Sequence, residues 1–244
     1  MSDGVEALRA LHLGRPPGDP LILPGPWDAA SARAFAQAGF EALATPSAGV
    51  AAALGYADGE TPADEMFAAI ARITRAVDVP VTADVEDGYG LAPAELVERL
   101  LEAGAVGCNI EDSTRGALKD PREHADYLAR FCAAAAGRIF LNARVDTFAH
   151  GDGDPDRAVE QAIDRAASYI AAGAECAYPI LAPAAVLPVL RSGIEGPLNA
   201  LALLDGDGPA PAALGGLGAT RITFGPQLQR RATAAAAELA TGLR

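Results

Sequence analysis

Short apolar runs alternate with longer amphipathic segments along this chain, and this alternation restricts the possible folds more than any other feature. The apolar runs have the length of buried strands, and the segments between them carry apolar residues at helical spacing. Several of these segments begin with proline, as at Pro93 and Pro121, and end before glycine, as at Gly104. The eight apolar runs cover residues 21–23, 42–45, 79–84, 107–110, 139–143, 174–180, 198–203 and 221–224.

Eight such units in 244 residues predict an α/β protein with a (β/α)8 TIM barrel. We expect one domain over residues 1–244, with a short C-terminal helix at 226–243. An open, doubly wound sheet is the alternative. The first run is not followed by a Gly-x-Gly-x-x-Gly sequence, which favours the barrel. In a barrel, the active site lies at the C-terminal ends of the strands.

The composition restricts the possible partners. A formal net charge of −13 argues against binding to nucleic acid or to an anionic membrane surface. No segment reaches the roughly 18 uninterrupted apolar residues of a membrane span. Cys108, Cys132 and Cys176 follow no disulfide or metal-site spacing, which is typical of core thiols. We therefore expect a cytoplasmic protein that binds neither nucleic acid nor membrane.

Acidic residues follow two neighbouring predicted strands. Asp84 and Glu86 come at the end of the third run, before a Gly-Tyr-Gly turn, and Glu111 comes at the end of the fourth. Clustered carboxylates suit Mg²⁺ or Mn²⁺ better than zinc, which prefers histidine and cysteine. The pattern predicts a divalent-metal site with one direct carboxylate ligand and others that act through water. Solvated loop acids or helix caps are the alternative.

Other strand ends carry residues suited to an anionic substrate. Arg144 follows the fifth run, where a buried guanidinium needs a carboxylate partner, either from the substrate or from the protein. Ser47, Ala48 and Gly49 can present a hydroxyl and backbone amides to an anion, or can form an ordinary βα turn. Trp27 either forms a wall of the pocket or packs in the core.

Two histidines lie outside these motifs, and their sequence context indicates a functional role less strongly. His124 falls in a predicted helix, and we expect it on the surface. His150 lies in a Gly/Asp loop beyond the fifth run, where a solvated position is expected and a proton-transfer role is the alternative.

In combination, these motifs resemble the isocitrate lyase/phosphoenolpyruvate mutase superfamily, and within it the smaller mutase-like members. The resemblance extends over nearly the whole chain. The segments that carry it are Trp27-Asp28-Ala29-Ala30-Ser31-Ala32, Thr45-Pro46-Ser47-Ala48-Gly49-Val50, Leu54-Gly55-Tyr56-Ala57-Asp58-Gly59, Asp84-Val85-Glu86-Asp87-Gly88-Tyr89-Gly90, Gly107-Cys108-Asn109-Ile110-Glu111-Asp112-Ser113 and Asn142-Ala143-Arg144-Val145-Asp146.

The resemblance implies a (β/α)8 barrel and a role for each matching acid. Asp84 looks like the direct Mg²⁺ ligand, with Mn²⁺ as the other possible ion. Glu86 and Glu111 match acids that hold metal-bound water, and Glu111 is also expected to take part in catalysis. Asp58 matches an acid near the pocket.

The resemblance also implies how a substrate is held. Ser47, with the backbone amides of Ala48 and Gly49, matches the cradle for a substrate carboxylate, and Trp27 would lie beside it. Arg144 matches the arginine that binds substrate oxygen. The implied reaction breaks a C–C bond in a small 2-oxo or substituted dicarboxylic acid, and the metal and the arginine stabilise the pyruvate-like enolate that forms.

The loop after Glu111 differs from both branches of the superfamily. The lyase branch carries a Lys-Lys-Cys-Gly-His-type motif there, and the mutase branch carries a lysine and an asparagine. This chain has Ser113-Thr114-Arg115-Gly116-Ala117-Leu118-Lys119-Asp120, in which Arg115 and Lys119 can close over an anion. We expect Lys119 to be catalytic.

Because of this loop, alternatives to the lyase remain open. One is a mutase or hydrolase that acts on the P–C bond of phosphonopyruvate or phosphoenolpyruvate-type substrates. The other is a protein that binds a 2-oxo acid without turning it over. The expected partners are a small anionic 2-oxo acid or enolpyruvyl compound and further copies of the chain. The homo-oligomer would lack the helix that relatives exchange between subunits, because only residues 226–243 follow the last barrel strand.

Overall fold

The computed structural model describes residues 2–16, 18–151, 153–204, 206 and 208–243. In this part of the chain, eight parallel strands follow one another in barrel order, which confirms the predicted (β/α)8 architecture. A short antiparallel hairpin interrupts them. The barrel strands are β1 (Leu21–Ile22), β2 (Leu43–Thr45), β3 (Val81–Asp84), β4 (Gly107–Glu111), β7 (Phe140–Val145), β8 (Cys176–Pro179), β9 (Asn199–Leu201) and β10 (Arg221–Thr223), and the hairpin is β5 (Ser113–Thr114) with β6 (Ala117–Leu118).

The helices alternate with these strands and cover the outside of the barrel. A short 3-10 helix, Ala184–Val186, precedes α9. The α-helices are α1 (Ser2–Leu13), α2 (Ala29–Gln37), α3 (Ser47–Leu54), α4 (Ala63–Thr74), α5 (Pro93–Glu102), α6 (Pro121–Ala135), α7 (Thr147–His150), α8 (Pro155–Ala171), α9 (Leu187–Gly193), α10 (Pro211–Gly216) and α11 (Gln227–Thr241).

The hydrogen-bond ladder of the barrel is divided into two sheets in the described residues. One has the order β2-β3-β4-β7-β8 and the other the order β1-β10-β9. Between β8 and β9 the described strands share one isolated bridge, Ala177 with Leu198. Between β1 and β2, the amide of Ala44 donates to the carbonyl of Pro24 at 3.2 Å. The strand order is therefore that of a barrel whose ladder is not closed.

Helix boundaries follow the sequence signals. Pro93 is the first residue of α5, where its missing N–H costs no hydrogen bond, and Gly104 follows the C-cap with a φ of +78°. In α6, the Asp120 side chain accepts hydrogen bonds from the amides of Arg122 and Glu123. These capping residues determine where each helix begins and ends, and therefore where the following strand can begin.

Helix α1 covers the N-terminal end of the barrel, and the sequence analysis did not predict it. Its Val5 and Leu8 are buried in a cluster with residues at the starts of strands, among them Leu21 and Phe140. His12 stacks on Phe140, with ring centroids 4.2 Å apart. The barrel is thus closed at this end by apolar packing of the described part of α1.

The main core lies between the sheet and the helices. It is built largely from alanine, leucine, valine and isoleucine. His124, expected at the surface, is only 3% exposed and lies edge-on to Tyr169 of α8, so that expectation is wrong. Within the described residues, no helix has the length and apolarity needed to cross a membrane. The single domain over residues 1–244 stays a prediction.

Candidate active site

The ends of three neighbouring strands bring the predicted acids and the arginine together. Asp84 ends β3, Glu111 ends β4, and Arg144 is next to last in β7. The strand register pairs Asp84 with Asn109, and Glu111 with Arg144. Since the strands are parallel, these side chains meet at the C-terminal mouth of the barrel.

A cavity of about 660 Å³ occupies this mouth. Seven of the ten residues predicted to bind metal or substrate or to act in catalysis lie in its described lining, and they come from segments as far apart in sequence as α3 and β7. They are Ser47, Ala48, Asp58, Asp84, Glu86, Glu111 and Arg144.

Asp84 and Ser47 are in contact at the start of α3. The Ser47 hydroxyl donates to Asp84 Oδ2 at 3.1 Å, and the Glu86 amide donates to Asp84 Oδ1 at 3.3 Å. Burial raises the pKa of Asp84, while the charge of Arg144 and these hydrogen bonds oppose the rise. The carboxylate is thus held in a fixed position in a region where its charge is poorly solvated.

Glu86 adopts an unusual backbone conformation for a non-glycine residue, with a φ of +51°. Its Oε1 atom is buried and has no hydrogen-bond partner among the described residues. Burial raises the pKa of Glu86 to about 7, and the nearby charges of Asp84 and Asp58 add to this effect. Glu86 Oε1 is therefore a buried acceptor to which no described residue donates.

Arg144 joins the acids of two strands. Its Nη1 lies 2.7 Å from Glu111 Oε2, and its Nε donates to Asp146 Oδ1 at 2.7 Å. Burial lowers the pKa of Arg144, but the charges of Asp84, Glu111 and Asp146 more than offset this and raise it. Burial raises the pKa of Glu111 to about 8, against the attraction of Arg144. The guanidinium stays charged at the edge of the cavity.

The donor set fits a hard divalent cation. The donors are carboxylate oxygens, which Mg²⁺ and Mn²⁺ prefer. Burial and mutual repulsion penalise the charges of Glu86 and Glu111, and a cation would relieve both effects. Among the described residues, no three histidine, cysteine, aspartate or glutamate side chains form a group able to hold an ion directly.

A buried network holds Asp146 and, through it, Arg144. Asp112 Oδ1 accepts from the Asp146 amide at 2.8 Å. Its Oδ2 accepts from Arg165 Nη1 at 2.9 Å and from the Tyr169 hydroxyl at 2.8 Å. Asp112 thus has a supporting role. Its partners Arg165 and Tyr169 on α8 lie more than 50 residues away in sequence, so no local pattern indicated them.

Three residues predicted for the site lie outside the described lining of the cavity. Trp27 packs edge-on against Phe35, with ring centroids 6.1 Å apart. Gly49 is buried in the first turn of α3. The Lys119 amine donates to the backbone carbonyls of Glu111 at 3.1 Å and Asp87 at 3.3 Å. Their roles in binding and catalysis stay predictions.

The cavity also has lining residues that the sequence analysis did not single out for it. Asn109 precedes Glu111 by two positions on β4, and a period of two would have placed both side chains on one face. Tyr178 and Thr223 contribute to the lining from β8 and β10, and Arg230 does so from α11. His150, expected to be solvated, is exposed and contributes to the rim.

A buried arginine lies next to this lining. Arg221 of β10 is completely buried, and its Nη2 donates to Asn109 Oδ1 at 3.3 Å. The same oxygen accepts from Asn142 Nδ2 at 2.7 Å. Burial lowers the pKa of Arg221, and the charge of Asp84 opposes this change. A second positive charge therefore lies within the barrel beside the site.

Comparisons with known proteins agree with the fold. The sequence model of the phosphoenolpyruvate phosphomutase family matches residues 8–244. An uncharacterized protein of Mycobacterium tuberculosis H37Rv is 32% identical over 212 residues, which is 85% of this chain and 78% of that protein. The 2-methylisocitrate lyase of Escherichia coli K12 is 29% identical over 170 residues, 66% of this chain and 57% of the enzyme.

A solved structure covers the chain more fully. The crystal structure of a candidate phosphonomutase from Burkholderia cenocepacia J2315 superposes with a TM-score of 0.89 and 38% identity, over 99% of this chain and 100% of that one. The fold is thus that of a barrel class that contains lyases and phosphonomutases, which are enzymes. The chain belongs to the phosphoenolpyruvate phosphomutase family, within the isocitrate lyase/phosphoenolpyruvate mutase superfamily. This family uses a divalent metal.

Proposed function

We propose that this protein is a Mg²⁺-dependent lyase that cleaves a C–C bond in a small 2-oxo or substituted dicarboxylic acid through an enolate. One observation carries the proposal. Arg144 and the acids Asp84, Glu86 and Glu111 line one cavity at the barrel mouth, and a buried oxygen of Glu86 lacks a partner among the described residues. Mn²⁺ can replace Mg²⁺ in a site of this chemistry.

Asp84 would be the direct metal ligand, because it ends its strand and is already positioned by Ser47. Glu86 and Glu111 would hold metal-bound water, and Asp58 would add negative charge from the loop after α3. When bound, a divalent cation supplies positive charge that polarises the substrate and stabilises an anionic oxygen.

The start of α3 would hold the substrate carboxylate. Helix α3 begins at Ser47 after Pro46, and its N-cap residue makes no side-chain hydrogen bond to the first turn. The amides of Ala48 and Gly49 belong to that first turn, where backbone N–H groups bind anions. Trp27 would border the same region from the loop after β1.

Arg144 would stabilise the charge that develops during cleavage. When the C–C bond breaks, its electron pair stays on the carbon next to the carboxyl or keto group and spreads to oxygen as an enolate. A guanidinium already fixed by Glu111 and Asp146 needs little reorganisation to face that oxygen. Glu111 would move a proton, since the raised pKa of its carboxyl places its titration close to neutral pH.

Lys119 would act from a position beside the backbone of Glu111, outside the described lining of the cavity. Its amine is bound to two backbone carbonyls, and burial lowers its pKa. Direct contact with substrate requires movement of the hairpin β5–β6, which also carries Arg115 at the cavity rim. Closure of this hairpin over an anion would bring both cations to the substrate.

A P–C bond mutase or hydrolase is the second candidate. The resemblance to the Burkholderia phosphonomutase, at 38% identity over the full length of both chains, favours it. The same pocket suits it, because cleavage of a P–C bond next to a keto group also leaves an enolate. A 2-oxo acid binding protein without turnover is the remaining alternative.

We also propose a homo-oligomer, on the evidence of α11. None of its described residues is buried, and Leu239 and Leu243 are 74% and 88% exposed. Leu228, Ala232 and Leu239 recur at helical spacing and give the helix an apolar face, and Leu243 follows just beyond its end. A second subunit would cover that face, and light scattering of Leu239→Glu should then show a smaller particle than the wild type.

The test is pyruvate release in the presence of Mg²⁺. Oxaloacetate would give pyruvate and carbon dioxide, and 2-methylmalate would give pyruvate and acetate. From phosphonopyruvate, a hydrolase would take up water and give pyruvate and phosphate, whereas a mutase would give phosphoenolpyruvate, which pyruvate kinase with ADP converts to pyruvate for the same assay. Turnover of either carbon acid, abolished by EDTA and by Asp84→Ala, supports the lyase. Turnover of phosphonopyruvate alone selects the second candidate, and binding without any product selects the third.

A further inference from the structure

A second cavity of about 350 Å³ adjoins the candidate active site on the side of β8 and β9. Every described residue that lines it is glycine or has an apolar side chain, among them Leu187, Leu203 and Leu214. We call this cavity the apolar annex. Its size lies within the range of small-molecule pockets, and apolar walls favour an apolar occupant.

The annex and the active-site cavity are neighbours with a common wall. Leu181 and Leu201 line both of them. In the described residues, β8 and β9 pair only at the bridge between Ala177 and Leu198. Leu201 comes three residues after that bridge, so the strand ends beside the annex are not joined by a ladder. One of the two breaks in the barrel ladder of the described strands therefore falls where the two cavities meet.

The rim of the annex carries exposed and strained apolar residues. Leu181 is 51% exposed and has a φ of +61°, which is an outlier for a bulky side chain. Leu203 is 54% exposed. Exposed leucines cost free energy in water, and a strained one persists where the surrounding structure imposes it. Both features mark a surface that a ligand would cover.

The charged groups of the active site lie on other strands. Asp84, Glu111 and Arg144 end β3, β4 and β7, whereas Ile180, Leu181 and Leu201 form the side toward β8 and β9. An acid bound by its carboxylate at Ser47 and Arg144 would direct its far end toward the apolar side.

We propose that the substrate is a small acid with an apolar substituent, and that this substituent binds in the apolar annex. The inference rests on the proposed function, because it takes the carboxylate end of the substrate to lie at the metal site. A hydrocarbon arm matches the lining, since a polar arm would lose hydration without gaining hydrogen bonds. The hydrocarbon substituent would be attached to the leaving fragment, at the carbon atom of the cleaved C–C bond that is not retained in the pyruvate product.

A series of 2-methylmalates with hydrogen, methyl or n-butyl on C3 tests this proposal. Each carbon of the arm buried in the annex should raise kcat/KM about 4-fold, so the butyl compound, with four carbons more than the parent, should exceed it on the order of 250-fold. Calorimetric binding of the same acids is measured alongside. Affinity that rises with chain length without any turnover would overturn the lyase but keep the annex.

Variants of the 3-10 helix provide the matched control. Ala184 lines the annex, and its neighbour Ala185 is exposed outside it. Ala184→Phe should lower the ratio of butyl to parent kcat/KM at least about 10-fold, and Ala185→Phe should leave it unchanged. The ratio is taken within one preparation, so a partly folded variant does not distort it. Flat turnover and flat affinity along the series, or equal effects of the two variants, would overturn the annex as a substrate site.

Discussion

The two ends of the barrel are built in opposite ways. At the C-terminal end, Asp84, Glu86, Glu111 and Arg144 place charges at a cavity where burial penalises them. At the N-terminal end, α1 fills the barrel with Val5, Leu8 and other apolar side chains. Charged groups in a poorly solvated cavity stabilise a reaction more than a fold, whereas apolar packing does the reverse. Substitutions at one end should therefore change turnover, and substitutions at the other should change stability.

The largest expected effect is at the C-terminal end. Arg144→Ala should reduce kcat/KM on the order of 1,000-fold, about 4 kcal/mol of transition-state stabilisation, because the enolate loses its guanidinium. Steady-state kinetics on the best substrate measure this. Arg138→Ala, a partly exposed arginine just before β7, is the control and should keep full activity. A loss of kcat/KM below 10-fold for Arg144→Ala would contradict the assignment of catalysis to the C-terminal end of the barrel.

The next effect is at the N-terminal end. Leu8→Ala should lower the free energy of unfolding by about 3 kcal/mol, since Leu8 is completely buried against the strand starts. Urea unfolding measures it, and turnover per folded molecule should not change. Leu13→Ala in the same helix, where the leucine is 75% exposed, should cost less than about 0.5 kcal/mol.

A smaller effect on activity should follow from the support of Arg144. Asp146→Asn keeps the shape of the side chain but removes the charge that Arg144 contacts at 2.7 Å. We expect kcat to fall about 10- to 100-fold with KM nearly constant, because the guanidinium is held less firmly. A change in KM alone would show that Asp146 does not position Arg144 for the chemical step.

The smallest effect concerns pH and His12. Burial, with the charge of Arg221, lowers the pKa of His12 to about 3, so the ring is neutral in the folded protein and takes up a proton on unfolding below about pH 6.5. Stability should be constant above that pH and fall as the pH drops toward 3. Between pH 7.5 and 5.5, His12→Gln should lose about 1.4 kcal/mol less than the wild type in urea unfolding. Equal losses would mean that His12 is protonated in the fold.

The sequence predicted the barrel and most of the C-terminal end because both rest on local patterns. Apolar runs mark the strands, and residues such as Asp84 and Glu111 mark the strand ends, which meet wherever parallel strands close into a barrel. Other features depend on packing between distant segments. Leu8 reaches the strand starts, and Arg165 reaches Asp112 from 53 residues away. His124 was wrongly expected to be exposed, because a local pattern does not show that its helix packs against Tyr169 of another βα unit.

The loop after β4 shows a second kind of feature that the sequence does not predict. Its sequence differs from both branches of the superfamily. Lys119 was expected to be catalytic on the basis of the resemblance alone. In the structure its amine binds the carbonyls of Glu111 and Asp87. A local pattern does not encode whether a hairpin opens or closes, since that depends on what binds beneath it.

A crystal structure with Mg²⁺ and oxalate, a mimic of the pyruvate enolate, tests the central claim most directly. The account predicts the ion on Asp84, with water between it and Glu86 and Glu111. It predicts oxalate between that ion, Ser47 and Arg144. An ion bound elsewhere, or oxalate held without contact to Arg144, would contradict the assignment of the barrel mouth as an enolate-stabilising site.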